Sequence, residues 1–327
     1  MMRGSSMKEK KVTIIVPVYN AEENIRFCLD SILNQTAKNF KVLLINDGST
    51  DNSLKIINDY ANKYPDIFKV LTQKNKGVVA TRHRGIYEAD TEYIMFLDND
   101  DFIDRDYVEV HFNEIEKNNC DIVISGYRRA TLTETIFEVH AKNSDWTKYA
   151  INAPWARIFR RSLIVENNIE FLDTAIGEDT FFNLKCYIYT NKIKYIDYIG
   201  YNWFYNKESV SNSKQKGLRK ECDVLVLMNN LYELYQNRMD DIFQYFMIRY
   251  IIWYLLFSGA SASSSRFMEE YRRLFEWLKN NNIKLKIKWF SRKIQSEPIK
   301  NRIIISIFYW LSKLKLIKVF SKLYCKG

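Results

Sequence analysis

Apolar and polar positions follow two rhythms along this chain, and the change between them falls near Gly126. In the first part, short continuous apolar runs alternate with stripes at helical spacing. Val12–Val16 reads as a strand, and Ile25, Leu29, Ile32 and Leu33 as the buried stripe of the helix after it. Val42–Ile45 is the next strand; Leu54, Ile57, Ala61 and Tyr64 stripe a second helix that Pro65 closes. Ile67–Leu71, a helix from about Val79 to Glu88, Tyr93–Leu97, a helix over Tyr107–Lys117 and Asp121–Ser125 continue the series. Runs without internal polar alternation suit strands covered on both faces. Repeated strand–helix units predict a doubly wound, mostly parallel sheet with right-handed crossovers.

After Gly126 the pattern predicts a strand or hairpin over 127–140, a short strand at Trp155–Arg160 and a helix at Asp179–Tyr189. From about Gln215 it is helical and rich in aromatic residues through Gly259. A serine-rich break, Ser258–Ser265, precedes another helix that runs to Leu278. Tyr245–Phe257 is apolar, but Arg249 interrupts it and it is short for a membrane span, so it reads as a buried helix. The expected organisation is an α/β unit over 8–214, split into 8–125 and 126–214, followed by a helical domain over 215–327. Residues 1–7 read as vector-derived sequence and a natural start at Met7.

Composition adds three constraints. Hydrophobic residues make up 47% and charged residues 27% of 327 positions, which is the balance of a folded globular chain. Five widely spaced cysteines and three histidines support neither a disulfide framework nor a zinc site, and fit a reducing cytoplasm. The net charge of +10 is unevenly placed: from Lys279 onward thirteen Lys or Arg face one acid, Glu297. There Ile283–Trp289 alternates apolar and basic residues, and Ile303–Leu323 predicts a helix with Trp310, Leu314, Ile317, Phe320 and Tyr324 on one side and Lys315, Lys318 and Lys322 opposite. A basic amphipathic segment with interfacial tryptophan predicts peripheral attachment of 283–326 to an anionic membrane surface. No nucleic-acid motif accompanies the charge, so nucleic acid is not an expected partner. The aromatic helical domain could supply a homo-oligomer interface.

The chemistry gathers at strand ends. Tyr93–Leu97 runs straight into Asp98-Asn99-Asp100-Asp101. In parallel sheets ligands bind beyond the carboxyl ends of the strands, so these acids are expected at a crevice rim. Clustered carboxylates repel unless a cation joins them, and oxygen donors of this kind suit Mg²⁺ or Mn²⁺ carrying a phosphate ester. An Asp-rich helix start would explain the same residues. Three further segments end at the same predicted edge: Val16-Pro17-Val18-Tyr19-Asn20, Ile45-Asn46-Asp47-Gly48-Ser49, and Lys76-Gly77 with Arg82 and Gly85. Ile176-Gly177-Glu178-Asp179 follows in the second part.

P-V-Y-N, N-D-G-S-T-D, G-x-x-x-x-R-x-x-G, L-D-x-D-D and G-E-D in this order resemble the glycosyltransferases of sequence family 2, over about residues 10–212. The resemblance implies a GT-A fold, a UDP-sugar donor, a saccharide acceptor and an inverting, single-sugar transfer in bacterial surface polysaccharide or glycoconjugate synthesis. It implies that Pro17, Tyr19 and Asp47 hold the base, with Val18, Asn20, Gly48, Lys76, Gly77 and Asn99 around the donor and Arg82 near its phosphates or base. Asp98 and Asp100 become the D-x-D pair on Mn²⁺ or Mg²⁺, Asp100 the direct ligand and Asp98 nearer the ribose. Asp179 becomes the general base, with Glu178 orienting it or contacting the acceptor; both also suit the first turn of a helix. Trp155 and Arg157 fall near the family's acceptor position, and Trp155 equally suits a core. His83 and Thr81 depart from the family's usual Asn and Ala. The Q-x-x-R-W motif of processive enzymes is absent. Two rival readings are a non-catalytic partner subunit and a sugar nucleotidyltransferase, the latter lacking its Gly-rich basic loop after the first strand.

Overall fold

The computed structural model describes residues 9–205 and 216–327; the vector-derived reading of Met1–Ser6 lies outside them. The chain divides into two compact units. The first comprises Met1–Asn143, Ala153–Phe171 and Phe182–Tyr205; the second comprises Ser144–Asn152, Leu172–Phe181 and Asn206–Gly327. Two short segments expected with the α/β unit thus group with the C-terminal helices.

In the first unit the strands are β1 Val12–Val18, β2 Phe40–Asn46, β3 Phe68–Thr72, β4 Tyr93–Phe96, β5 Phe102–Ile103, β6 Ile122–Ala130, β7 Thr135–Val139, β8 Arg157–Arg160 and β9 Ile193–Phe204. Among the described residues they form one mixed sheet in the order β3-β2-β1-β4-β8-β6-β9-β5, with β7 added to β6. The helices α1 Ile25–Leu33, α2 Ser53–Lys63, α3 Gly77–Glu88 and α4 Tyr107–Asn118 join its first strands. Every residue of β1 is buried, as expected of a central strand with both faces covered. Gly85 of α3 sits over this strand: a Cβ there would lie 2.3 Å from Ile15 Cγ2, so the absent side chain permits the close helix–sheet approach.

β1, β2, β3 and β4 are mutually parallel, with Val18 opposite Asn46 and Asn46 opposite Thr72, so their carboxyl ends share one edge. The expectation that Asp121–Ser125 simply extends this parallel series needs correction. β8 inserts antiparallel between β4 and β6, and β6 is parallel to β9. Nothing in the local pattern of β6 records that its neighbour is a strand some thirty residues later.

The second unit is helical: Val224–Tyr235, Asp241–Gly259, Ser264–Asn280, Ile299–Lys313 and Ile317–Tyr324, with a single turn at Thr147–Ala150. Three of these helix starts are capped by side chains. Asp223 accepts from the Leu225 amide at 2.8 Å, Asp240 from Phe243 at 2.7 Å, and Ser263 of the serine-rich break from Arg266 at 3.2 Å. Asp241–Gly259 is long and apolar enough to cross a membrane, yet 78% of its apolar window is buried, as in a core helix. The tail differs from the single helix expected over Ile303–Leu323. The helix starts at Ile299, and a break at Leu314–Leu316, with Lys315 at φ 59°, separates two helices. Ile305, Phe308 and Ile317 face inward, while Ile299, Ile303, Ile307, Trp310 and Leu314 form an exposed stripe at helical spacing. Ile317 therefore parts from Trp310 and Leu314, with which the sequence pattern grouped it on one side.

Candidate active site

The site is built from loops that follow four parallel strands, and hydrogen bonds tie those loops together. After β1, Asn20 takes a left-handed backbone (φ 46°), receives the Thr50 amide on its side-chain oxygen at 2.8 Å, and donates its own amide to Ser49 Oγ. After β2, Gly48 also has positive φ (72°); a Cβ would fall 2.8 Å from the Asn75 amide nitrogen, so the turn needs glycine. After β4, Asn99 donates to the Pro17 carbonyl at 2.8 Å. Val18 is buried at the end of β1, whereas Tyr19 is half exposed beside it.

Asp47 is only 3% exposed. One carboxylate oxygen accepts from Gln73 Nε2 at 2.8 Å and the Lys76 amide at 2.9 Å; the other accepts the Gly77 amide at 2.8 Å. Asp47 therefore satisfies donors at the N-terminus of α3, where a negative charge also meets the helix dipole. A carboxylate offers about four lone-pair sites, so one remains for a further donor. The Lys76 side chain is exposed, and no atom lies within 4 Å of where a Gly77 Cβ would be. Thr81 and His83, the two departures from the family pattern, both have local roles. Thr81 Oγ1 donates to the Gly77 carbonyl and receives Gln73, and His83 Nε2 accepts the Phe171 amide at 2.7 Å.

The three acids after β4 have separate fates. Asp98 pairs with Arg82, Nη2 to Oδ1 at 2.9 Å; the Arg82 side chain is 4% exposed and lies over the Phe171 ring. Asp101 is buried and accepts from Tyr201 Oη at 2.6 Å and the Phe204 amide at 2.8 Å, both from β9. It braces the loop from beneath and is not at the rim where the sequence reading put all three. Burial first, then the charges of Asp100 and Asp98, push its carboxyl well above the usual value. Asp100 has neither brace. Burial, followed by the Asp98 charge, raises its carboxyl to about 6.

Arg129 of β6 escaped the sequence reading. Its guanidinium lies 3.6 Å from the centre of the Trp203 ring and 5.3 Å from that of Tyr205, and the residue is 5% exposed. Its buried Nη1 has no hydrogen-bond partner among the described residues. Burial lowers its pKa, and the charges of Asp101 and Asp100 oppose that shift. The adjacent Arg128 spends its guanidinium on Asp104 and the Ile199 carbonyl. Only the alternation of β6 distinguishes the two, and that requires knowing which face of the strand meets the acids.

Among the described residues no group of three or more His, Cys, Asp or Glu side chains is set to hold a metal ion. Asp100 by itself fits a different arrangement, in which one carboxylate holds a hard cation and phosphates and water complete its shell. A cation there would also stabilise the ionised form that burial and, after it, the Asp98 charge disfavour. With Arg82 already on Asp98, Asp100 is the acid left for this role.

Glu178 and Asp179 belong to the second unit and occupy the first turn of the helix Glu178–Tyr189. Gly177 precedes them at φ 81°, and a Cβ on it would lie 2.4 Å from Leu227 Cδ2 and 2.7 Å from Tyr250 Oη. Tyr250 also hydrogen-bonds Thr180, and its hydroxyl pKa is raised by burial first and by Glu178 and Asp179 after it. The two acids thus stand against a buried tyrosine of the helical unit. Trp155 and Arg157 are committed to the core of the first unit. Trp155 stacks on Tyr201 at 4.4 Å, and the fully buried Arg157 donates to Tyr187 Oη at 2.6 Å. Neither presents surface to an acceptor in this structure.

The Asp100 environment generates a pH signature. A carboxyl raised in the folded state holds its proton more tightly than the unfolded chain does. Stability is therefore lost as pH rises from about 4 through 6, by on the order of 2–3 kcal/mol. In metal-free buffer, Asp100→Asn should be more stable than the parent at neutral pH and equal to it below about pH 4. Urea unfolding at both pH values checks this; equal stabilities throughout would refute it.

Residues 13–177, half of the chain, match the profile described as Glycosyl transferase family 2. The chain is 30% identical over 223 residues to Glycosyltransferase GlyA of Streptococcus pneumoniae serotype 4, covering 62% of this chain and 32% of GlyA. It is 32% identical over 225 residues to the cholesterol galactosyltransferase of Borreliella burgdorferi, covering 62% of each chain. The chain thus spans about a third of the first relative and under two thirds of the second. S. aureus TarS 1-349 in complex with UDP-GlcNAc shares the fold, with a TM-score of 0.57 at 21% identity over 95% of this chain and 89% of TarS 1-349. With the parallel strand edge, the motif order and this match in agreement, the chain belongs to glycosyltransferase family 2 and has the GT-A fold with a C-terminal helical region.

Proposed function

We propose that this glycosyltransferase moves a single sugar from a UDP-sugar to a saccharide acceptor, with inversion, in the assembly of a bacterial surface polysaccharide or glycoconjugate. The observation that carries the reading is the division of labour after β4, where Asp98 is paired with Arg82, Asp101 is braced from β9, and Asp100 has no ion-pair or side-chain hydrogen-bond partner of its own among the described residues. TarS 1-349 is seen in complex with UDP-GlcNAc, and the fold shared with it supports a UDP-sugar as the donor here.

In this reading the loops after β1, β2 and β3 form the base pocket. Pro17, Val18, Tyr19 and Asn20 supply one wall, and Asp47, Gly48, Lys76 and Gly77 the other. The remaining lone pair of Asp47 accepts the N3–H of uracil, which cytosine lacks. Asp98, held by Arg82, faces the ribose. Asp100 would hold Mn²⁺ or Mg²⁺, which when bound would neutralise charge on the diphosphate. Arg129, desolvated and coupled to Asp100 and Asp101, supplies a second fixed positive charge for the same purpose. Asp179 takes the proton from the acceptor hydroxyl as its oxygen bonds to the anomeric carbon. The carbon–oxygen bond to the diphosphate breaks in the same displacement, and its electron pair leaves with UDP. Glu178 orients the base. Trp155 and Arg157, once assigned to the acceptor, support the sheet that carries the donor residues.

A screen of UDP-Glc, UDP-Gal, UDP-GlcNAc and UDP-GalNAc tests the class. One donor should release UDP with Mn²⁺ and stop with EDTA. Asp179→Asn should lower kcat by about 10²–10⁴ and leave UDP affinity unchanged. If every donor is inert, or if the Asn variant keeps full turnover, the proposal fails.

The tail supports a working position on the inner face of the membrane, as a peripheral protein. Ile299, Ile303, Ile307, Trp310 and Leu314 are exposed together, and Lys300, Lys313, Lys315, Lys318 and Lys322 are exposed around them. This pattern suits an anionic lipid interface. Replacing Ile307 and Trp310 by Ser together should weaken sedimentation with phosphatidylglycerol vesicles at least about tenfold, given the apolar area removed. Undiminished sedimentation would contradict it.

A further inference from the structure

The helical unit contains a cavity of about 230 Å³ that the donor chemistry does not use. Its walls are Ile176, Tyr250, Trp253, Tyr254 and Phe257, with Asn152, Arg249 and Ser258. Most of these come from one face of the helix Asp241–Gly259. The cavity is rigidly framed. Arg249 is held by the buried Glu297, which also accepts from Tyr245 Oη at 2.6 Å, and the Arg249 guanidinium lies over the Trp146 ring. Tyr254 Oη donates to the Cys222 carbonyl at 3.1 Å, and Tyr250 hydrogen-bonds Thr180. With both tyrosine hydroxyls engaged, the walls offer mainly aromatic faces.

Two features point to what fills it. Trp253 carries a buried indole N–H without a hydrogen-bond partner among the described residues. An unmet buried donor destabilises the fold, and an oxygen-bearing ligand would satisfy it where a hydrocarbon chain would not. The volume is also below the roughly 300 Å³ at which pockets for drug-sized ligands begin, so it accepts one ring rather than an extended chain. Position adds the third element. Ile176 is three residues before Asp179, and Tyr250 touches both Gly177 and Thr180. A ligand in this cavity therefore rests against the residues that lead into the helix turn carrying the proposed base.

We propose that this cavity is the acceptor subsite and that it takes one pyranose ring of the acceptor saccharide. The ring stacks on the aromatic wall, and a hydroxyl accepts the Trp253 N–H. This rests on the reading of Asp179 as general base. It also moves acceptor recognition from the Trp155–Arg157 strand of the sheet to the helical unit.

The test uses the full-length protein labelled with ¹⁵N at tryptophan. The Trp253 indole resonance is assigned by its loss in Trp253→Phe. Methyl β-glycosides of glucose, galactose, N-acetylglucosamine and N-acetylgalactosamine are titrated in turn, with 1-octanol as the apolar probe. One glycoside should shift the resonance saturably. Phe257→Ala, at a half-exposed wall position that the fold tolerates, should weaken that binding by roughly fivefold or more. The proposal is overturned if no glycoside perturbs Trp253, if Phe257→Ala leaves the affinity unchanged, or if only octanol binds, which would make this an apolar-aglycone pocket. If UDP-sugar turnover is found while no glycoside reaches Trp253, the acceptor subsite falls and the proposed function stands. A glycoside bound at Trp253 in a protein that cleaves no UDP-sugar would remove the donor reading instead.

Discussion

Three carboxylates within four residues, at the end of a strand buried on both faces, are the constraint around which the first unit is arranged. Left alone they would repel one another in a poorly solvated place, and none could stay ionised without cost. The fold answers two of them. Arg82 is buried on α3 to meet Asp98, and that burial is in turn supported by the Phe171 ring. Tyr201 and the Phe204 amide arrive on β9 to meet Asp101. Asp100 keeps its electrostatic strain, which is the kind of local cost retained at working sites. Arg129, pressed against Trp203 with a hydrogen-bonding nitrogen to spare, faces the same cluster from β6.

This arrangement explains why the mixed part of the sheet exists. A purely parallel series would end at β4 and leave the acids without a floor. β9 runs beside β6 and pairs with the two-residue strand β5, just beyond Asp101, so the loop is stitched to the sheet immediately after its acids. The Trp155–Tyr201 stack packs the same strand from within. Asp47 applies similar logic one strand away: a carboxylate that would suit a nucleobase also organises the backbone amides at the start of α3.

The parallel half was legible because its evidence is local. Val12–Val18, Phe40–Asn46 and Tyr93–Phe96 each hold a continuous apolar stretch of at least four residues, followed by a polar turn with its own chemistry. The pairing of β8 between β4 and β6 was not legible, since strand neighbours are chosen by tertiary packing and leave no periodic mark. β9 was missed because Gly200 and paired aromatic residues blur its alternation. Trp155 and Arg157 match a family position, yet the sequence could not say that Arg157 would be sealed in with Tyr187. Arg129 looked like its neighbour Arg128, and the period of the strand separates them only once the direction of the acids is known. In the tail, amphipathic spacing was correct in kind, but the left-handed turn at Lys315 splits the helix and sends Ile317 inward.

In the proposed reading Asp100, unlike Asp98 and Asp101, is left without a side-chain partner of its own so that it can take a cation that arrives with a nucleotide. Calorimetric titration of UDP, with Mn²⁺ and then with EDTA, tests it most directly. The account predicts that UDP binds far more tightly with the metal, and that Asp100→Asn erases the difference while Asp98 and its Arg82 partner stay in place. Equal UDP affinity with Mn²⁺ and EDTA, or a metal effect that survives in Asp100→Asn, would contradict it.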